Sequence, residues 1–277
     1  MAHTTMGEAA RRWSEGVGLG LRLLRHDPLL GLKRVVLPVS YWRTAEFTYA
    51  MARLASLPPG SRILDLGSPK ELAVHLARRF GHVVYATDIL ERAVRQGEVY
   101  GRSLNPKGTG HLLAEIQDGR RLTHQDRSFD AVVCVSVLEH IPDDGDSATM
   151  KEFIRVVRPG GCIVATTPFA PAYGETFVAR TVYDRQRVGE GLVFFERHYD
   201  VAALHKRLLD HPGAQLEHLG YWGEGGIRME RIFSRLGRAR ALLSPAEPFL
   251  AWTCLRELPL ERGDRVMAAF FTLRKTE

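Results

Sequence analysis

Residues 61–88 read Ser-Arg-Ile-Leu-Asp-Leu-Gly-Ser-Pro-Lys-Glu-Leu-Ala-Val-His-Leu-Ala-Arg-Arg-Phe-Gly-His-Val-Val-Tyr-Ala-Thr-Asp. Ile63, Leu64 and Leu66 form a short apolar run that stops at Gly67, and Leu72, Ala73, Leu76 and Phe80 then recur at helical spacing. The stretch predicts strand, tight turn, helix. A second apolar run at 83–86 leads to Asp88. Two parallel strands joined by a helix make a right-handed βαβ unit, and such units bind ligands at the carboxyl ends of their strands. Gly67 and Asp88 both stand at such ends.

Within the turn, Ser68 suits an N-cap, Pro69 the first helical position, and Glu71 the position that reaches back, so residues 68–71 read as a capping box. A dinucleotide site needs bare amides and repeated glycines aimed at a pyrophosphate. One glycine, a proline and a carboxylate are poor anion chemistry.

Further along, residues 111–116 predict a third strand ending at Asp118-Gly119, and the continuous apolar run 131–138 predicts a central parallel strand buried on both faces. Met150, Phe153, Ile154 and Val157 make a helix face, capped by Asp146 or Ser147 and ended by Pro159-Gly160-Gly161. Strand five follows at 162–166, a helix at about 200–210, strand six at 215–222 and a last strand at 266–273.

Taken in order, Leu64-Asp65-Leu66-Gly67, Asp88, Asp118-Gly119, the run from Phe129-Asp130 to Glu139-His140, and Arg158-Pro159-Gly160-Gly161 resemble the core of the class I, Rossmann-like S-adenosylmethionine-dependent methyltransferases. The resemblance covers residues 60–168 continuously. It implies an α/β fold with a seven-stranded sheet, helices on both faces, and a last strand antiparallel beside strand six. The sequence departs from the family after Gly67, where Ser68-Pro69-Lys70 stands in place of further glycines.

By this resemblance the cofactor is S-adenosylmethionine, a sulfonium cation without phosphate, which carboxylates at strand ends suit. Gly67 would let the backbone approach, Asp65 orient the methionine part, Asp88 accept both ribose hydroxyls, and Asp118 accept from the adenine amino group. Ser68, Lys70, Ile89, Gly119 and Ser136 complete the implied cofactor set. Asp88 as a helix cap and Asp65 as a purely structural carboxylate are the competing readings. Lys70 sits in the first helical turn, where a cation is disfavoured, so it is either a contact for the cofactor carboxylate or a solvated lysine.

Methyl transfer is an in-line displacement, which needs a base only when the acceptor must lose a proton. His140 is the best-placed imidazole by resemblance, and His198 beside Glu196 is the second. Either can equally be a structural histidine. The expected reaction is methylation of a small molecule, with oxygen the leading acceptor atom and nitrogen or carbon open. The altered loop keeps two rivals in play: another reaction on the same fold, or a non-catalytic relative.

Outside the core, residues 1–57 predict a helical cap ahead of a methyltransferase domain at 58–277, with insertions at 168–198 and 223–262. Residues 7–36 interleave leucines with Arg11, Arg12, Arg22, Arg25, Lys33 and Arg34. Such a segment lies on an anionic membrane or packs on its own domain; the glycines at 16, 18 and 20 weaken a long helix. Residues 41–56 predict an amphipathic helix, and by the resemblance a helix ahead of the first strand folds over the cofactor, so that Tyr41 either contacts the acceptor or packs in the core. Residues 168–198 have no clean period and, placed after strand five, should wall the acceptor site. Phe169, Tyr173, Phe177 and Tyr183 are the expected acceptor contacts. The second insertion predicts a basic helix at about 227–243 and another carrying Phe249, Trp252 and Leu255.

The net charge of +6 comes from arginines spread along the chain. No run alternates cations with aromatics as a nucleic-acid stripe would, so nucleic acid is disfavoured and an acidic or lipid-like small molecule fits better. Cys134, Cys162 and Cys254 lack paired spacing and no secretory signal opens the chain, which points to the cytoplasm. No metal-ligand spacing occurs.

Overall fold

The computed structural model describes residues 3–104, 110–179 and 191–277. Helices α1 (Met6–Leu23), α2 (Pro28–Val36) and α3 (Tyr41–Leu54) precede strand β1 (Arg62–Leu66). Helix α4 (Lys70–Phe80) and strand β2 (Val83–Asp88) complete the expected βαβ unit. Then come α5 (Glu91–Arg102), β3 (His111–Ile116), β4 (Phe129–Val135), α6 (Gly145–Val156) and β5 (Val157–Pro168). A hairpin of β6 (Gly174–Val178) and β7 (Val193–His198) leads to α7 (Val201–Leu204) and β8 (Ala214–Glu224). Helices α8 (Met229–Leu236) and α9 (Glu247–Cys254) and strands β9 (Leu255–Glu257) and β10 (Val266–Lys275) finish the chain.

The main sheet runs β3-β2-β1-β4-β5-β10-β8-β9. Its first five strands are parallel, and β10 lies antiparallel between β5 and β8. Seven strands match the expected sheet. The second insertion adds β9 as a short antiparallel edge on β8.

The apolar runs bury both faces of this sheet. Ile63, Val133 and Val164 meet Phe47, Met51, Leu72 and Leu76 on one side. Leu64, Val132 and Ile163 meet Met150, Phe153, Leu204 and Leu208 on the other. Helix α3 is therefore part of the core, and it brings Arg43 and Glu46 to the carboxyl ends of β4 and β5.

The capping box expected at 68–71 is absent. Helix α4 starts at Lys70 with Pro69 as its cap residue and no side-chain cap bond. β1 is registered on β4 only as far as Asp65 opposite Val133, so the Val135 N–H has no strand partner on that side. Ser68 Oγ accepts from it at 2.9 Å. Glu71 pairs instead with Arg34. A capping box does form at the start of α1, where Thr5 Oγ1 accepts from Glu8 N at 3.2 Å and Glu8 Oε2 accepts from Thr5 N at 2.8 Å.

Asp146 does not cap α6; Asp144 is the cap residue. Asp146 is buried and pairs with Arg197 at 2.6 Å and Arg207 at 2.8 Å, while Tyr199 Oη donates to it at 2.8 Å. One carboxylate thus ties α6 to the root of the β6–β7 hairpin. Within the segment 168–198, expected to be irregular, residues 174–178 and 193–198 form that hairpin, with a register shift between Thr176 and Phe177, and residues 180–190 lie outside the described residues. In the second insertion Pro248 lies in the first turn of α9 and Leu255 opens β9.

The glycines of α1 do not shorten it. Gly20 lets α2 approach so closely that a Cβ there would stand 2.6 Å from Val35 N, and one at Gly31 of α2 would stand 2.6 Å from Leu24 N. Contact between the two helices offsets the lost helix propensity. Gly20→Ala should therefore destabilise the fold by about 1–3 kcal/mol through overpacking, despite alanine's better propensity. Urea denaturation showing equal or greater stability would reject this close-packing account.

Candidate active site

At the carboxyl ends of β1, β2 and β4 the sheet opens into a cleft of about 1000 Å³. Gly67, Ser68, Lys70, Asp88, Ile89, Asp118, Gly119 and Ser136 line it, together with His140 and Phe177. The sequence-predicted cofactor positions thus converge, apart from Asp65.

Gly67 turns the chain out of β1 with φ +65°, and a Cβ there would meet Val137 Cγ1 at 2.8 Å. A side chain at Gly119 would meet Leu66 Cδ2 at 2.6 Å. Both positions keep backbone close to the cleft floor. Beneath it, Asp65 is fully buried and neither carboxylate oxygen has a hydrogen-bond partner among the described residues. Burial pushes its carboxyl up to about 6, against the opposing pull of Lys70 and Ser68.

Asp88 ends β2, and its Oδ1 accepts from Leu90 N at 3.0 Å. Lys70 is not a solvated lysine. It is 3% exposed, with Nζ 3.3 Å from Asp88 Oδ2 and 3.2 Å from the Thr87 carbonyl. The cation that is unfavourable beside a helix N-terminus is held by the strand-end carboxylate instead. Asp118 is gripped by Arg120 through Nε at 3.0 Å and Nη2 at 2.7 Å. That hydrogen bonding to Arg120 lowers the Asp118 pKa. Each ionised carboxylate offers about four lone-pair sites, so both can still accept from a ligand.

The other end of the cleft is built around the close of β4. Ser136 has φ +51°, strained for a residue with a side chain, and its Oγ donates to Glu46 Oε1 at 2.6 Å. Thr166 Oγ1 donates to the same oxygen at 2.9 Å, and Arg43 holds Oε2 at 2.7 Å. His140 follows on a short 3₁₀ turn, Leu138–His140. Its Nδ1 lies 2.8 Å from the Phe195 carbonyl. A carbonyl only accepts, so Nδ1 carries the proton and the neutral ring keeps its basic nitrogen at Nε2. Glu139 Oε1 is 3.9 Å from that nitrogen. Burial pushes the Glu139 carboxyl up to about 8, with Arg43 opposing.

Several predicted contacts lie elsewhere. Tyr41 is buried in the core and its Oη donates to Glu224 Oε1 at 3.0 Å, because α3 turns that end toward α8 and β8. Phe169 is likewise buried, edge-on to Tyr221. Tyr173 is exposed and His198 half-buried, and neither lines the cleft; Tyr173 bonds Glu175 and His198 faces Glu196. Tyr183 falls outside the described residues. Arg34, Arg43, Glu175, Val193 and Phe194 are cleft residues the sequence reading missed. Glu46, which braces Ser136 and Arg43 from behind the cleft, was missed too, although it stands on the Glu46-Ala50-Leu54 stripe of α3, a carboxylate on a buried face.

Among the described residues no group of His, Cys, Asp and Glu could hold a metal ion, and no helix is long and apolar enough to cross a membrane. Two glycines that keep the floor open, carboxylates at the ends of β2 and β3, and an orphaned buried carboxylate below fit S-adenosylmethionine. A phosphate-bearing cofactor would meet Asp88, Asp118 and Glu71.

Residues 63–161 match a family model described as a methyltransferase domain. A ubiquinone biosynthesis O-methyltransferase from Xanthomonas oryzae pv. oryzae is 28% identical over 130 residues, covering 47% of this chain and 52% of that protein. A 2-methyl-6-phytyl-1,4-hydroquinone methyltransferase from Synechocystis sp. is 34% identical over 123 residues, covering 43% and 36%. The chain thus spans about half or less of the length of these curated relatives. Among solved structures, an S-adenosylmethionine-dependent methyltransferase from Methanosarcina mazei superposes with a TM-score of 0.55 at 20% identity, over 82% of this chain and 98% of that one. Residues 63–161 are thus similar to the methyltransferase-domain family, and the chain around them has the class I, Rossmann-like fold found in S-adenosylmethionine-dependent methyltransferases.

Proposed function

We propose that the protein transfers the methyl group of S-adenosylmethionine to an oxygen of a small phenol-like acceptor. The observation that carries this reading is the meeting, in one cleft, of the strand-end carboxylates with a histidine whose tautomer is fixed by the Phe195 carbonyl. The cofactor would supply an electrophilic methyl group on a sulfonium. Asp88 would hold the ribose hydroxyls, Asp118 the adenine amino group, and Gly67 the close backbone contact. Asp65 would act from below through its charge rather than by contact.

On the acceptor side, His140 would take the hydroxyl proton at Nε2 while Nδ1–H stays on Phe195. Its imidazolium would then lie beside Glu139. Phe177 and Phe194, ring centroids 5.9 Å apart, offer an aromatic wall for a planar acceptor. The relatives named for ubiquinone biosynthesis and for a phytyl hydroquinone support an aromatic, lipid-tailed acceptor. The three free cysteines, all buried, suit a reducing setting such as the cytoplasm.

Incubation of the protein and cofactor with simple hydroquinones and catechols should give a product heavier by one methyl group; no mass shift with any phenolic acceptor would reject the reading. Asp88→Asn should weaken cofactor binding by about 2–3 kcal/mol, read by calorimetry, because a charged acceptor of ribose hydroxyls is lost. Unchanged affinity would remove the ribose assignment. His140→Ala should lower turnover by about 10²–10⁴-fold with cofactor affinity nearly intact. Equal turnover across a pH range would leave positioning alone to explain the rate.

Glu139 gives a signature in stability. Its carboxyl titrates near 8 when folded against 4.5 ordinarily. Below 4.5 both states keep the proton, whereas toward 8 the unfolded chain has released it and the folded chain has not. Its contribution to stability is therefore full at low pH and lost as pH rises through that window. Glu139→Gln should gain stability relative to the parent between about pH 5 and 8. Parallel urea-denaturation profiles for the two proteins would contradict a carboxyl kept neutral by burial.

A further inference from the structure

We propose that the outward face of α2, with the end of α1, docks on an anionic lipid bilayer. Leu29, Leu32 and Val36 are 83%, 57% and 46% exposed and fall at i, i+3 and i+7 of α2, on one side of the helix. Leu21 and Leu24, 56% and 39% exposed, extend the same stretch from the end of α1. Scattered single leucines on a surface need no explanation, but five large apolar side chains exposed within residues 21–36 do.

The charges around them select the partner. Arg25 and Lys33 are exposed in this stretch. Its only acid, Asp27, is used to cap α2, accepting from Leu30 N at 2.9 Å. A surface that takes up leucine side chains and attracts cations at their margin is the interface of a bilayer containing acidic lipids. Helix α2 is too short to span a bilayer, so it lies in the interface plane.

The opposite side of α2 gives the docking a use. Arg34 donates to Tyr100 Oη at 2.9 Å, pairs with Glu71 and lines the cleft. One helix therefore lies between the bilayer and the cofactor end of the site, and docking would hold the cleft beside the membrane in which a lipid-tailed acceptor dissolves. That use rests on the methyl-transfer reading; the docking itself does not.

Flotation with vesicles of phosphatidylcholine alone and of phosphatidylcholine with phosphatidylglycerol tests it, with no cofactor or acceptor present. The protein should bind the mixed vesicles and bind neutral ones more weakly. Leu29→Ser with Leu32→Ser should weaken binding about ten-fold or more. Arg25→Gln and Lys33→Gln should each weaken it about five-fold. These side chains are exposed, so the variants should keep the parent melting temperature and its turnover of a water-soluble acceptor. Absence of binding by the parent, or undiminished binding by the leucine variant, would overturn the proposal. So would a dimer in sedimentation that the leucine variant converts to monomer, since a second copy of the chain would then cover the patch. Loss of methyl transfer with vesicle binding intact would instead strike only at the functional reading.

Discussion

The floor of the cleft depends on where β1 stops. The strand is five residues long and buried between β2 and β4. Its end at Leu66 leaves β4 running on beside it without a partner. The chain meets that mismatch with Gly67, which turns away, and Ser68, which satisfies the buried amide of Val135. The cleft opens there, over the carboxyl ends of β1, β2 and β4. Carboxylates that could not be buried in the sheet collect along that edge, where water or a ligand can reach them.

The parallel core was readable because burial on both faces demands unbroken apolar runs, and a βαβ unit leaves little freedom in how they connect. Gly67, Asp88, Asp118 and His140 were readable for a related reason, since each stands one or two residues beyond such a run. Local signals served less well wherever tertiary partners outbid them. Ser68 and Glu71 have the right spacing for a cap, yet an unpaired strand amide and Arg34 claim them. Asp146 stands at a helix start and serves two arginines instead. Aromatic content was a poor guide to the acceptor wall: Tyr41 and Phe169 are core residues. Arg34, Arg43 and Phe194 reach the cleft from helices and a hairpin whose placement only long-range packing decides.

The buried charges of the site divide by their company. Asp146 sits in the core but keeps its charge, because Arg207, Arg197 and Tyr199 all donate to it or face it, and its pKa is lowered despite burial. Asp65 and Glu139 have no such cluster and burial prevails, so their carboxyls titrate upward. One set of groups holds structure; the other lies directly under and beside the cleft, where charge can respond to what binds.

The Asp146 cluster also sets the mechanics of the wall over the cleft. Arg197, at the root of β7, is fully buried and held by Asp146 and the Asp143 carbonyl. Swinging the hairpin as a rigid flap would strip a buried guanidinium of its counter-charge, which costs about 3–5 kcal/mol when one partner of such a pair is lost. The hairpin is therefore clamped at Arg197, and Phe177 and Phe194, which line the cleft from it, stand on a root that the core holds in place.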